Sequence, residues 1–229
     1  MSDLTSDTVA PVAPAGNGIS SSQGYLTVVV GPKNNHFTAN KALIISRSTF
    51  FKTAASKRWT DGRPKHIILA DDNPEQFRDY LQVLQDNALD PQQHWTFVQT
   101  GLIYILADKL GDLRTSNICV DFIIKDLEVD DAVPGDSFIN FLYEHTIPGS
   151  KLRKLCIDYY IHEANIVGMD RELERLPARF WHDIVVESHE LRKNHGLGYV
   201  DDIFRDRVVE QDDCTYHQHD ETHPACEGV

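Results

Sequence analysis

Apolar residues follow two rhythms along this chain. Near its start they run without a break over Leu26-Thr27-Val28-Val29-Val30, and again over His66-Ile67-Ile68-Leu69. Both runs are rich in β-branched residues, the mark of strands with at least one face buried. Gly31-Pro32-Lys33-Asn34-Asn35 reads as a turn after the first run, so Tyr25–Ile45 is expected to fold back on itself as a hairpin. Its end, Lys41–Ile45, turns into a short helix. Ser48 then caps a second short helix carrying Phe50, Phe51 and Ala54. Phe50 and Phe51 lie about 100° apart on that helix, so at least one of them faces the core.

From Asn73 onward the rhythm is helical. Asn73 is a good N-cap, Pro74 suits the first helical position and Gln76 falls where a capping box needs it. Phe77, Tyr80, Leu81 and Leu84 then recur at i, i+3, i+4, i+7 as one apolar stripe that ends near Asp86-Asn87. Thr96 to Leu110 is apolar on nearly every side, which predicts a buried central helix. Gly111 ends it and Asp112 caps the next, whose core face is expected to be Leu113, Ile118, Phe122 and Leu127, filled out by Val120, Ile123 and Ile124. After an acidic linker at Asp130–Asp136 come three more amphipathic patterns. Phe138, Phe141 and Leu142 mark the first. Leu152, Leu155, Cys156 and Tyr159 mark the second, capped by Ser150. Phe180, Trp181, Ile184, Val185 and Leu191 follow Pro177, and Val200–Val209 suggests a last short helix.

Residues 1–24 are mostly Ser, Thr, Ala, Pro, Gly and Val without periodicity and read as a flexible lead-in. The basic stretch Lys57–Lys65 reads as a solvated loop, with docking of an acidic segment as the functional alternative. The resulting division is a lead at 1–24, an α/β domain at 25–128, a helical extension at 137–209 and an acidic His/Cys tail at 210–229.

Charge narrows the partners. The formal net charge is −13, and 201–229 holds nine carboxylates against Arg205 and Arg207, more than half of that excess. Such a balance argues against nucleic-acid phosphate and anionic lipid as ligands. No apolar run approaches the roughly 18 residues of a membrane span, and the N-terminus has no basic-then-apolar leader. Four cysteines in a chain of this kind do not suggest a disulfide framework, so a cytoplasmic or nuclear protein is expected.

The order strand, turn, strand, helix, strand, helix, together with its residues, resembles the BTB/POZ family. The family's opening is matched by Val28-Val29-Val30-Gly31, Phe37, Lys41, Leu43 or Ile44, Ser48 and Phe51, with Asn40 where the family usually has His. Tyr104-x-x-Ala107-Asp108-Lys109-Leu110 and the helix after it look like the family's closing helical hairpin. The resemblance covers about 100 residues. Thr146 followed by Ser150-x-Leu152-Arg153 is similar to the extension found in fungal BTB-containing proteins. The resemblance implies a small sheet flanked by helices and a protein–protein interaction module. One form of that module is a substrate adaptor of a cullin-type ubiquitin ligase. The other is a homo- or hetero-oligomerising scaffold, or a transcription-associated regulator, that never engages a cullin. A cullin contact would fall at the end of the Pro74–Asp86 helix, where Leu84-Gln85-Asp86 resembles the family's hydrophobic-x-acid contact. Tyr80, Leu84 and Asp86 are therefore the candidate partner-binding residues. The helix that precedes the first strand and swaps in many BTB dimers has no counterpart here, so a monomer or weak homodimer is expected.

Little else carries chemistry. His145, His162, His182 and His189 are scattered over the predicted helices without a nucleophile at catalytic spacing, and Gly196-Leu197-Gly198 follows no strand, so no enzyme is expected. One cluster stands out: Cys214, His217, His219, His223 and Cys226, two thiols and three imidazoles within 13 residues. These are the ligand types of a tetrahedral Zn²⁺ site. The competing reading is a solvated tail that happens to be rich in His and Cys.

Overall fold

The computed structural model describes residues 24–58, 66–130, 133–162, 164, 169–195 and 214–221. Most of the lead-in, the core of the basic stretch at 59–65, the expected helix at Val200–Val209, and His223 and Cys226 lie outside the described residues.

Strand β1 (Tyr25–Val30) pairs antiparallel with β2 (Asn35–Asn40), and β3 (Ile67–Leu69) joins the other side of β1 in parallel, giving the order β2-β1-β3. The turn between β1 and β2 has the backbone its residues favour: Gly31 and Asn34 both have positive φ, and the Asn34 N–H donates to the Gly31 carbonyl. Alternation sends Leu26, Val28 and Val30 to the helical side, where Ala39, Ile67 and Leu69 join them. The opposite face carries Tyr25 and Ile68, both exposed.

Helices α1 (Lys41–Arg47) and α2 (Thr49–Arg58) connect β2 to β3. Asn40 caps α1 by accepting from the Leu43 N–H. Ser48 stands between the two helices. Its Oγ accepts from the Phe51 N–H at 3.1 Å and donates to the Leu110 carbonyl at 2.5 Å, so the cap also ties this corner to a distant helix end. Phe51 is fully buried and Phe50 is not, as adjacent helical positions require.

Helix α3 (Pro74–Asp86) starts at Asn73, whose side chain accepts from the Glu75 and Gln76 N–H groups. Gln76 does not close a capping box there, because its amide reaches across to the Leu102 carbonyl. The capping box forms instead between Thr96 and Gln99 at the start of α4 (Phe97–Leu110). Helix α4 is the expected central element, with Ile103, Tyr104, Leu106, Ala107 and Leu110 buried. It packs on α3, on α5 (Leu113–Asp130) and on α6 (Asp136–His145). At Gly101 an added Cβ would lie 2.9 Å from the Phe138 ring, so the absence of a side chain sets how closely α4 and α6 approach.

Helix α5 sits rotated from its expected face. Cys119, Val120, Ile123 and Leu127 are buried, whereas Leu113, Ile118 and Phe122 are half-buried. Half of the residues of this helix are apolar, and α4 selects the face centred on Cys119 and Ile123. Helices α7 (Lys151–His162), α8 (Asp170–Leu173) and α9 (Ala178–His195) complete the described fold. Leu152, Leu155, Cys156, Tyr159, Phe180 and Leu191 are buried as expected, but Val185 is 63% exposed. Most buried apolar side chains form one cluster from Leu26 to Tyr216, so the parts on either side of the linker at Asp130–Asp136 share a core. No helix among the described residues is long and apolar enough to cross a membrane.

Gly111 ends α4 at φ +64°, and a Cβ there would stand 2.1 Å from Thr49 Oγ1. Gly111→Ala is therefore expected to cost about 1–2 kcal/mol for the left-handed backbone, with displacement of Thr49 in addition. Urea unfolding checks this, and an unchanged midpoint would show that the corner relaxes freely.

Candidate functional site

The α3 residues expected to meet a partner are placed differently from that expectation. Tyr80 is fully buried and donates its hydroxyl to Asp112 Oδ2 at 3.2 Å. Burial first, and then the Asp112 carboxylate, push its phenol well above the usual tyrosine range. Leu84 is also buried, and Leu84 and Tyr80 share the core cluster with Phe77 and Leu81. Neither residue forms an exposed apolar contact. The stripe faces the core along its whole length because β2, α1, α4 and α5 all pack against this helix. Asp86 alone of the three is exposed, and its carboxylate accepts from the Gln82 amide. The helix end offers polar groups only.

Exposed apolar area lies elsewhere. Ile68 on β3 is 61% exposed and Phe50 on α2 is 37% exposed. With Thr53, Ala54 and Lys109 they line an open depression of about 590 Å³ beside the β3 edge. Lys109 pairs with Asp72 at 2.6 Å and gives the depression a charged margin. Of the doublet Phe50-Phe51, at least one ring of which was expected to face the core, Phe51 is buried and Phe50 lies at this surface. Which residue of Ile67-Ile68-Leu69 faces outward depends on register with β1, and three consecutive apolar residues do not show it.

The tail is no solvated strand over 214–221. Tyr216 is buried and donates to Asp158 Oδ2 at 2.8 Å, and Asp158, itself fully buried, also pairs with Lys154 at 3.1 Å. Lys151 Nζ donates to the Thr215 carbonyl at 2.7 Å. The Asn117 side chain holds the backbone of Gln218 at both ends: its Oδ1 accepts from the Gln218 N–H at 2.9 Å and its Nδ2 donates to the Gln218 carbonyl at 3.0 Å. The Gln218 amide then donates to Tyr104 Oη at 3.1 Å and to Asp108 Oδ1 at 3.3 Å. Helices α4, α5 and α7 thus share the docking.

This anchoring brings three of the five expected metal ligands together. Cys214, His217 and His219 offer one ligand atom each, all within 4.8 Å of one another. The turn makes this possible: the His217 N–H donates to the Cys214 carbonyl at 3.0 Å, and Cys214 has φ +47°. His217 Nε2 lies 2.7 Å from Asp121 Oδ1 on α5. The other two described cysteines are of a different kind. Burial pushes the thiols of Cys119 and Cys156 far above the usual range, so both stay protonated core residues.

The residues that hold the tail were missed in the sequence. Asn117 and Asp158 are polar residues among the apolar positions of their helices and are themselves buried, and that polar-in-apolar placement is the signal that could have pointed to them. Tyr216 is the lone aromatic residue of a polar stretch. The chain matches no protein-family model, and no curated protein is similar to it in sequence.

Proposed function

We propose that the chain is a protein–protein interaction module with a BTB/POZ-like core. The hairpin, the two short helices, the third strand and the α4–α5 helical pair follow the order that the sequence resemblance implies, which supports this reading. The observation that carries the reading is the exposed pair Phe50 and Ile68 beside the charged Lys109–Asp72 margin. An apolar anchor with a polar rim is what a protein contact needs.

Of the two forms of this reading, the burial of Leu84 favours an oligomerising scaffold that does not engage a cullin. A cullin contact at the end of α3 would lose its apolar anchor and rest on Gln82, Gln85 and Asp86 alone.

The test is affinity purification of the full chain as wild type, as Phe50→Asp with Ile68→Asp, and as Asp86→Lys, read by mass spectrometry and by sedimentation. The double variant is expected to lose its partners or its self-association, while each exposed substitution changes stability by no more than about 1 kcal/mol. An unchanged partner set and oligomeric state would remove this surface from the proposal. Recovery of a cullin that is lost in Asp86→Lys would restore the adaptor form.

A further inference from the structure

We propose that Cys214, His217 and His219 bind a zinc ion that stiffens the turn through which the tail docks on the helices. The donor set is one thiolate sulfur and two imidazole nitrogens. This combination suits zinc, whereas calcium and magnesium take oxygen ligands. Around a tetrahedral zinc with Zn–N near 2.0 Å and Zn–S near 2.3 Å, ligand atoms stand about 3.3–3.8 Å apart. The three ligand atoms here lie within 4.8 Å of one another, so rotation of side chains brings them to that spacing without moving the backbone far.

The backbone is already set for it. The hydrogen bond from His217 to the Cys214 carbonyl closes the Cys-Thr-Tyr-His turn, and the two hydrogen bonds exchanged between the Asn117 side chain and the Gln218 backbone fix the residue between the two histidines. His217 and His219 therefore start from a held segment, their rings 6.0 Å apart, and binding does not have to order a free chain.

Asp121 supplies the support that metal-bound histidines usually have. Its carboxylate lies 2.7 Å from His217 Nε2, which makes Nδ1 the nitrogen assigned to the metal. A carboxylate in that place fixes the ring's orientation and raises its basicity as a ligand. It also links the metal turn to α5, so the ion reinforces the docking of Tyr216 and Gln218 although its ligands all come from one short segment. Three protein ligands leave the fourth tetrahedral position for water or a further donor.

The experiment uses the full chain purified without a histidine tag, reconstituted with Zn²⁺ and with Co²⁺ as a spectroscopic probe. Wild type is expected to retain one equivalent of metal after gel filtration and to show the thiolate-to-cobalt charge-transfer band. Cys214→Ser should abolish that band. His219→Ala with Cys214→Ser should abolish retention, and Asp121→Ala should weaken zinc affinity about 10–100-fold. Chelation should speed amide exchange in 214–221 and leave the amides of α4 protected. Far-UV circular dichroism of each variant confirms that the helices persist. A wild-type chain that retains no metal overturns the proposal, and so does equal retention in wild type and the Cys214/His219 double variant.

Discussion

Asp112→Ala is expected to lower stability by roughly 3–5 kcal/mol, the penalty for leaving a buried charge without its partner. Asp112 is fully buried at the junction of α4 and α5. Its Oδ1 lies 3.2 Å from Arg47 Nε and accepts from the Thr115 N–H at 3.0 Å. Its Oδ2 accepts from Tyr80 at 3.2 Å and from Thr115 Oγ1 at 2.8 Å. One carboxylate thus caps α5, satisfies a buried phenol and neutralises an arginine whose side chain is only 10% exposed. Alanine takes this acceptor from Arg47 Nε, the Thr115 N–H and the Tyr80 and Thr115 hydroxyls. Arg47 keeps Asn87 Oδ1 and Thr115 Oγ1, but neither carries a charge.

Asp112→Asn separates the contributions. It keeps the shape and one acceptor oxygen but loses the ion pair, so its cost should fall between wild type and alanine. Combining Asp112→Ala with Arg47→Met should recover part of the loss, because the stranded charge is then gone. Urea unfolding of the four proteins checks this. A loss below about 1 kcal/mol for Asp112→Ala would mean that water reaches Arg47 and replaces the carboxylate.

Asp112 also shows what could be read from the sequence. Gly111-Asp112 marked a helix end and a cap, and both are present, because a left-handed glycine and an N-cap carboxylate are decided within a few residues. Asn73-Pro74 and Ser48 were legible for the same reason. The links from Asp112 to Arg47 and Tyr80 were not, since they span 65 and 32 residues and depend on how α1, α3 and α5 pack. The α3 stripe was legible as a stripe. The expectation that Tyr80 or Leu84 offers an exposed contact fails because both share the face of Phe77 and Leu81, and the elements around α3 cover that face.

The tail divides the same way. The ligand types of Cys214, His217 and His219 were visible as a cluster, since their spacing is local. That the segment docks was not visible, because its anchors at Asn117 and Asp158 lie 101 and 58 residues away from the groups they hold. A polar stretch with one tyrosine buries too little apolar area to order itself. Satisfied hydrogen bonds from helix side chains supply what the composition lacks.

Arg153 is where the second large effect is expected. It is 5% exposed, inside α7, and its guanidinium reaches back to the end of α6. Nε donates to Thr146 Oγ1 at 2.7 Å, and Nη2 donates to the Tyr143 carbonyl at 2.9 Å and to the Thr146 carbonyl. The guanidinium carbon also lies 4.2 Å from the centre of the Tyr143 ring. Helix α6 ends at His145 with Thr146 as its C-cap, so these carbonyls belong to its last turn and its cap, where no helical N–H remains to meet them. The fork thus closes a helix end and fixes the turn Thr146–Ser150 that leads into α7. Burial lowers the pKa of the guanidinium, and the group holds its proton regardless. Arg153→Met keeps much of the aliphatic stem but leaves the two carbonyls without a donor, and a loss of about 3–5 kcal/mol is expected. Arg153→Lys keeps the charge but not the planar fork and cannot meet three acceptors in this geometry, so about 1–3 kcal/mol should still be lost. Thermal and urea unfolding of both variants, with Thr146→Val to remove the Oγ1 acceptor alone, measures the steps. If lysine matches arginine within about 0.5 kcal/mol, a point charge suffices at the end of α6, and the fork geometry has no part in holding α6 to α7.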